Sequence, residues 1–344
     1  MAEIATGAGP EGAAIDPDRR RAFVATARSD RVAIVDLRRH EVVGEVAVGH
    51  EPTDIALDEE SQRLFVCDMR SGSVTAIDLP GERVLGTVEV PAYPSCVAAD
   101  PRGRRLYCGC SAGAAVAVID MDTLALLATV PAELGAGGVA IDARRARAYC
   151  ANFLTDSITV IDTDALRPVD RVEVGRAPCA THVNEVSDSV YVANSASDSV
   201  TRISLSTGTV AAQIGVGRGP VGVSASLSGD RIYVGNRGEG TVSVIGARDD
   251  LEWTRIDVGE APAGCVVDPV TGHLLVSNAG SATISVLDDR LTGRPSTPAA
   301  RRAPHPLVGR RLPPFALPDL RADRLRRSRE WAERKYILQF FASW

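Results

Sequence analysis

Short runs in which apolar and polar residues alternate fill most of this chain, and turn residues separate them. Ser157-Ile-Thr-Val-Ile-Asp162 has the period of two and the β-branched content of a half-buried strand. Asp100-Pro-Arg-Gly103 and Ser228-Gly-Asp230 have the composition of the turns between such strands. The runs recur at a fixed spacing. Phe23-Val-Ala-Thr26, Phe65-Val-Cys-Asp68, Tyr107-Cys-Gly-Cys110, Tyr149-Cys-Ala-Asn152, Tyr191-Val-Ala-Asn194, Tyr233-Val-Gly-Asn236 and Leu275-Val-Ser-Asn278 each end 42 residues after the one before. Pro10, Pro52, Pro94, Pro178, Pro220 and Pro262 keep the same step, with Ala136 in the gap. So do Asp36, Asp78, Asp120, Asp162, Ser204, Gly246 and Asp288.

Each copy predicts four strands: a small-residue stretch after the proline (Gly138-Val-Ala-Ile141), the Tyr-Val type strand, an alternating strand, and a fourth such as Arg171-Val-Glu-Val174. Four strands per repeat of this length, seven times over, predict an all-β fold, a seven-bladed β-propeller. The last copy runs into Arg290-Leu-Thr-Gly-Arg-Pro295 and has no fourth strand of its own, whereas residues 1–7 fall in fourth-strand columns. The N-terminal strand is therefore expected to close the last blade, removing an open sheet edge. The first strand of each copy should lie innermost. Its middle column, Ala14, Ala56, Ala98, Ala140, His182, Ser224 and Val266, is mostly small, as close approach around an axis requires.

Composition narrows the class. With 45% apolar and 24% charged residues, the 344-residue chain is ordinary for a globular protein. No apolar run approaches the roughly 20 residues of a membrane helix, and residues 1–7 lack the basic and apolar regions of a signal peptide. The seven cysteines, an odd number set in apolar stretches, read as reduced and buried. A cytoplasmic monomer is the expectation, with an extracytoplasmic location if an upstream start precedes Met1. Residues 291–344 carry 12 Lys+Arg against 4 Asp+Glu, a balance of +8, which leaves −14 for residues 1–290. So acidic a body repels nucleic acid, which is excluded as its partner. The division expected is a propeller over 1–290, a Pro/Arg/Ala-rich linker over 291–306, and a short α/β-like stub over 307–344.

Tyr191-Val-Ala-Asn194, Tyr233-Val-Gly-Asn236, Val242-Ser-Val-Ile245, Asp100-Pro and Asp268-Pro resemble the YVTN family of seven-bladed propellers. The resemblance implies the fold and a binding or scaffold surface. Thr26, Asp68 and Cys110 depart from the family's Asn. Leu307-Val-Gly-Arg-Arg-Leu-Pro-Pro-Phe-Ala-Leu-Pro-Asp-Leu320 and Tyr336-Ile-Leu-Gln-Phe-Phe-Ala-Ser-Trp344 are similar to the opening of thioredoxin-like redoxins of the TlpA and peroxiredoxin-related group. In that group a helix separates the two segments, and the redox motif Cys-x-x-Cys follows the second. The resemblance implies the front of a propeller–redoxin fusion whose gene is truncated, or interrupted at a selenocysteine codon.

Candidate ligand-binding residues follow from the columns. Asp68, Asn152, Asn194, Asn236 and Asn278 share one corner of successive blades and would ring one face to bind a polar ligand, unless each caps its own hairpin. Arg176 and Arg218, with His50, Tyr93 and Glu260, lie on the connections of the same face and would form an anion-binding cluster, unless they are scattered solvated charges. His182 replaces Ala in the channel-lining strand, where a structural histidine competes with a ligand or base. No metal site is expected, since no second ligand shares its column. Cys108-Gly-Cys110 shares one strand face but lacks a second pair. Arg310, Arg311, Arg326, Arg327 and Arg329 read as a solvated helix face.

The function expected is non-enzymatic: a propeller that presents a face to a protein or a small polar ligand, with no cofactor and no catalytic residue. The alternative is a thiol–disulfide oxidoreductase or peroxiredoxin-like antioxidant protein whose catalytic (seleno)cysteine lies beyond this chain. A lactonase-like hydrolase comes third, because His182 has no carboxylate or histidine partner.

Overall fold

The computed structural model describes residues 2–288 and, as backbone alone, the two strands Ala316–Asp319 and Arg324–Arg327. Seven four-stranded antiparallel sheets make a seven-bladed propeller. Blades 1 to 6 span 10–47, 52–89, 94–131, 136–173, 178–215 and 220–257, with strands paired in chain order. Blade 7 combines three strands within 262–287 with Ala2–Ala5, which pairs with Thr283–Leu287 so that Ile4 faces Ile284. Ile4 is buried at 3% exposure. The two ends of the ring are therefore joined by backbone hydrogen bonds, as the columns predicted.

First strands of neighbouring blades lie against one another around the axis. Alternation along the second and third strands sends side chains into both interfaces of each blade, and the core is a set of interblade clusters. One holds Phe23, Ile34, Val46, Ile55, Leu64 and Ile77; another holds Tyr191, Ile214, Ile232, Val234 and Ile245. Leu64, Phe65, Tyr107, Tyr191 and Tyr233 are fully enclosed, each worth roughly 1.5–3 kcal/mol relative to an exposed position.

The mouth face carries the loops that enter each first strand and the turns between second and third strands. The far face carries the other two sets of turns. Every first strand breaks register just after its proline or Ala136, as between Pro10 and Ala13, Pro52 and Asp54, or Pro178 and Ala180. Such bulges re-aim side chains at the rims of closed sheets.

Beyond residue 294 lies a separate unit, in which Ala316–Asp319 pairs antiparallel with Arg324–Arg327. The expected helical face through Arg326 and Arg327 is thus a strand. The linker and the apolar segment 336–344 lie outside the described residues.

Candidate functional site

The seven bulges build a funnel at the mouth of the axis. Strict alternation would turn every second side chain away, but with the bulge three successive residues of the first strand reach the lumen in most blades: Thr53, Asp54 and Ile55; Ser95, Cys96 and Val97; Cys179, Ala180 and Thr181. The cavity holds about 470 Å³, the size of a small metabolite. Glycines let the blades close on it. A Cβ on Gly138 would sit 2.6 Å from the Cys179 carbonyl oxygen, one on Gly264 2.5 Å from that of Glu11, and one on Gly222 would overlap the Ala263 carbonyl.

Asp54 is the charged exception in this tight column, which otherwise reads Gly12, Cys96, Gly138, Ala180, Gly222 and Gly264. Gly12 makes room for it: a Cβ there would lie 2.5 Å from Asp54 Oδ1. The carboxylate accepts from Val97 N–H at 3.0 Å and from the Cys96 thiol. Burial pushes its pKa up, partly offset by those donors. At the rim, Arg237 of blade 6 reaches past blade 7 and grips Glu11 of blade 1 with both terminal nitrogens, at 3.0 and 3.1 Å. Glu51 is held by Arg70, and Asp30 by His50 at 2.8 Å. A second, apolar depression shares Ser95 and Cys179 with the funnel wall and carries Phe153 and Leu154, which are 43% and 67% exposed. The mouth thus has a charged sector at blades 6, 1 and 2 and an apolar sector at blade 4.

The residues proposed from sequence occupy different places. Asp68, Asn152, Asn194, Asn236 and Asn278 are fully buried. Each Asn donates through Nδ2 to hydroxyls five and seven residues on: Ser157 and Thr159, Ser199 and Thr201, Thr241 and Ser243, Thr283 and Ser285. The amides pin the second strand to the third beneath the mouth, and Gly175 is bare so that Asn194 fits beneath it. Asp68 accepts from Ser73 and Thr75 in the same scheme, and burial pushes its pKa up to about 6. Arg176 donates to the Ala196 carbonyl at 2.8 Å, and Arg218 lies 3.7 Å from Glu239; both are exposed on the mouth face and neither lines the funnel. His182 pairs across to Tyr191 on the channel strand, below the funnel lining. Burial pulls its pKa down to about 4, so it is neutral at pH 7.

Asp54 and the Glu11–Arg237 pair escaped the sequence reading. For Asp54 the signal was present, a lone carboxylate in a column of glycine, alanine and cysteine. For Glu11 and Arg237, 226 residues apart, no column signal joins them. Cys67 and Cys108 face each other across blades 2 and 3 with sulfurs 3.4 Å apart, both enclosed. Among the described residues no group of three His, Cys, Asp or Glu is placed to hold a metal ion, and no helix is long and apolar enough to cross a membrane.

The model of a protein family described as a YNCE-like beta-propeller matches residues 42–231, more than half of the chain. Among solved structures, Kuenenia stuttgartiensis hydrazine synthase is similar: a TM-score of 0.73 at 21% identity, covering 81% of this chain and 95% of that one. That likeness is one of fold. No curated protein sequence matches the chain.

Proposed function

The chain belongs to the YNCE-like β-propeller family, and from that premise we propose that it is a non-enzymatic binding module that takes a small polar ligand into the funnel on its mouth face. One observation carries this reading: bulges in all seven first strands turn side chains of every blade into one cavity of about 470 Å³. Binding rather than catalysis is supported by the funnel's thiols. Burial pushes Cys96 well above the ordinary thiol range, and Cys179 and Cys265 up to about 12, so none supplies a thiolate nucleophile at neutral pH. His182, the base a hydrolase would need, is not in the lining.

The test is retention. Wild type and Val221→Trp, which fills the funnel from its wall, are incubated with a small-molecule cell extract, desalted, and analysed by mass spectrometry. Wild type should keep a species that Val221→Trp loses; the same retained species in both ends the proposal.

A propeller–redoxin fusion is the second reading. It draws on Leu317-Pro-Asp319 and Phe341-Ala-Ser-Trp344, beyond the family match, which ends at residue 231. Sequencing past the codon for Trp344 decides it: an in-frame Cys-x-x-Cys or selenocysteine continuation supports the fusion, and any other sequence ends it.

A further inference from the structure

We infer that the ligand of the funnel is an amphipathic organic cation, a primary amine on an apolar stem, with Asp54 receiving the ammonium and the Phe153–Leu154 depression receiving the stem. The inference rests on the funnel being the binding site.

Four observations lead there. Of the three acidic side chains in the funnel wall, Glu11 and Glu51 are each engaged by an arginine, Arg237 and Arg70. Asp54 takes part in no ion pair among the described residues. Its hydrogen bonds come from neutral donors, the Val97 and Ile55 N–H groups and the Cys96 thiol. A half-buried carboxylate with no countercharge is costly, and a cation brought by a ligand is what such a site lacks.

Three hydroxyls of the funnel lining are arranged as acceptors. Thr53 donates its proton to the Ser95 carbonyl at 3.2 Å, Ser95 to the Gly109 carbonyl at 3.4 Å, and Thr181 to the Tyr149 carbonyl at 3.4 Å. With their protons spent on backbone, these oxygens have lone pairs for N–H donors. An ammonium has three donors and no acceptor, so it suits a funnel that offers a carboxylate and such oxygens, whereas a ligand carboxylate would meet acceptors and like charge.

The stem has a place to lie. Phe153 and Leu154 project beside the funnel wall, and the depression they form shares Ser95 and Cys179 with it. Leu154 is anchored by its N–H to the Leu134 carbonyl at 3.2 Å, so the apolar sector stands on a fixed turn. The −14 charge of residues 1–290 draws cations toward the mouth and repels anions.

Calorimetric titration of the full chain with three probes of one shape tests this: phenylbutylamine, phenylbutyrate and phenylbutanol. The amine should bind saturably, with phenylbutanol at least tenfold weaker and phenylbutyrate without measurable heat. Asp54→Asn, which keeps the side chain's shape, should weaken the amine about 10- to 100-fold and erase its advantage over the alcohol. Phe153→Ser should weaken amine and alcohol alike, about threefold. Equal or tighter binding of phenylbutyrate or phenylbutanol by wild type, or an amine preference that survives in Asp54→Asn, overturns the inference. If that binding is lost in Val221→Trp, the funnel itself stands. Wild type that binds no probe also overturns the inference, and the retained-species comparison then decides the funnel separately.

Discussion

The two faces of the ring are built from the same 42-residue unit and do opposite things. On the far face, charged residues staple neighbouring blades. Arg20 of blade 1 grips Asp268 of blade 7 through both terminal nitrogens at 2.6 Å, and Arg104 of blade 3 reaches Asp58 of blade 2 at 2.6 Å. Arg202 of blade 5 holds Asp250 of blade 6 at 2.8 Å, and Asn184 donates to the Gly229 carbonyl at 2.8 Å. The two most buried carboxylates of these contacts, Asp268 and Asp58, each take their countercharge from an arginine of the neighbouring blade. On the mouth face the first strands bulge, the blades part into a funnel, and Asp54 takes no ion-pair partner there. The far face pairs its buried Asp268 and Asp58 carboxylates with arginines across the blade seams, and the mouth face leaves the Asp54 carboxylate without an ion pair among the described residues.

The far-face seam should show the largest effect. Arg20→Ala strands Asp268, which is 3% exposed, and should destabilise the propeller by about 3 kcal/mol in urea unfolding at pH 7. Burial opposes ionisation of Asp268, but the Arg20 guanidinium, the Thr271 hydroxyl and the Val270 N–H together hold its pKa down to about 2. A depressed carboxyl stabilises the fold above its unfolded pKa near 4, and this contribution is lost as pH falls toward 2. Wild type should therefore converge on Arg20→Ala in acid. An equal gap at pH 7 and pH 2.5 (a value within that window,) would assign the effect to packing instead.

Gly222→Ala should come next, at about 2 kcal/mol. Its Cβ would overlap the Ala263 carbonyl in the tight ring of the mouth, and backbone rather than a mobile side chain must give way. An unchanged urea midpoint would show that the funnel wall is slack.

Asp68→Asn should act with the opposite sign. The wild-type carboxyl, raised to about 6 by burial, binds its proton more tightly folded than unfolded, so wild type loses stability as pH rises from about 4 through 6. The amide found at this column in four other blades has no such dependence. The variant should be more stable than wild type by about 1–2 kcal/mol at pH 7.5, with the gain fading by pH 4. A gain that does not depend on pH would exclude desolvation as its cause. Smallest is Ala282→Gly. Ala282 has φ of 56° on a mouth-face turn where blades 2 and 6 place Gly72 and Gly240, and relief of that strain should add about 0.5–1 kcal/mol to the unfolding free energy.

Number of blades, strand order and ring closure were legible because each follows from column spacing alone. Ile4 is in a fourth-strand column, and no packing detail could place it elsewhere once the last copy lacked its own fourth strand. The Asn column was legible as a corner but not as a ligand ring or a buried clamp. That choice depends on whether Ser157 and Thr159, five and seven residues on, turn toward Asn152, and hairpin geometry settles it. His182 looked distinctive because it replaces Ala, yet the bulges set the funnel lining a few residues earlier, at Asp54 and its equivalents.

The amino-acid order alone determines the repeat: a strict period fixes equivalent units, and a last copy one strand short, with a lone fourth strand at residues 1–7, has to close the ring. Packing between blades decides where the unit departs from its own alternation. The bulges arise where seven first strands converge on one axis and glycines lie against the carbonyls of Cys179, Ala263 and Glu11. There, crowding between blades, absent from any single repeat, turns Asp54 inward and brings Arg237 to Glu11.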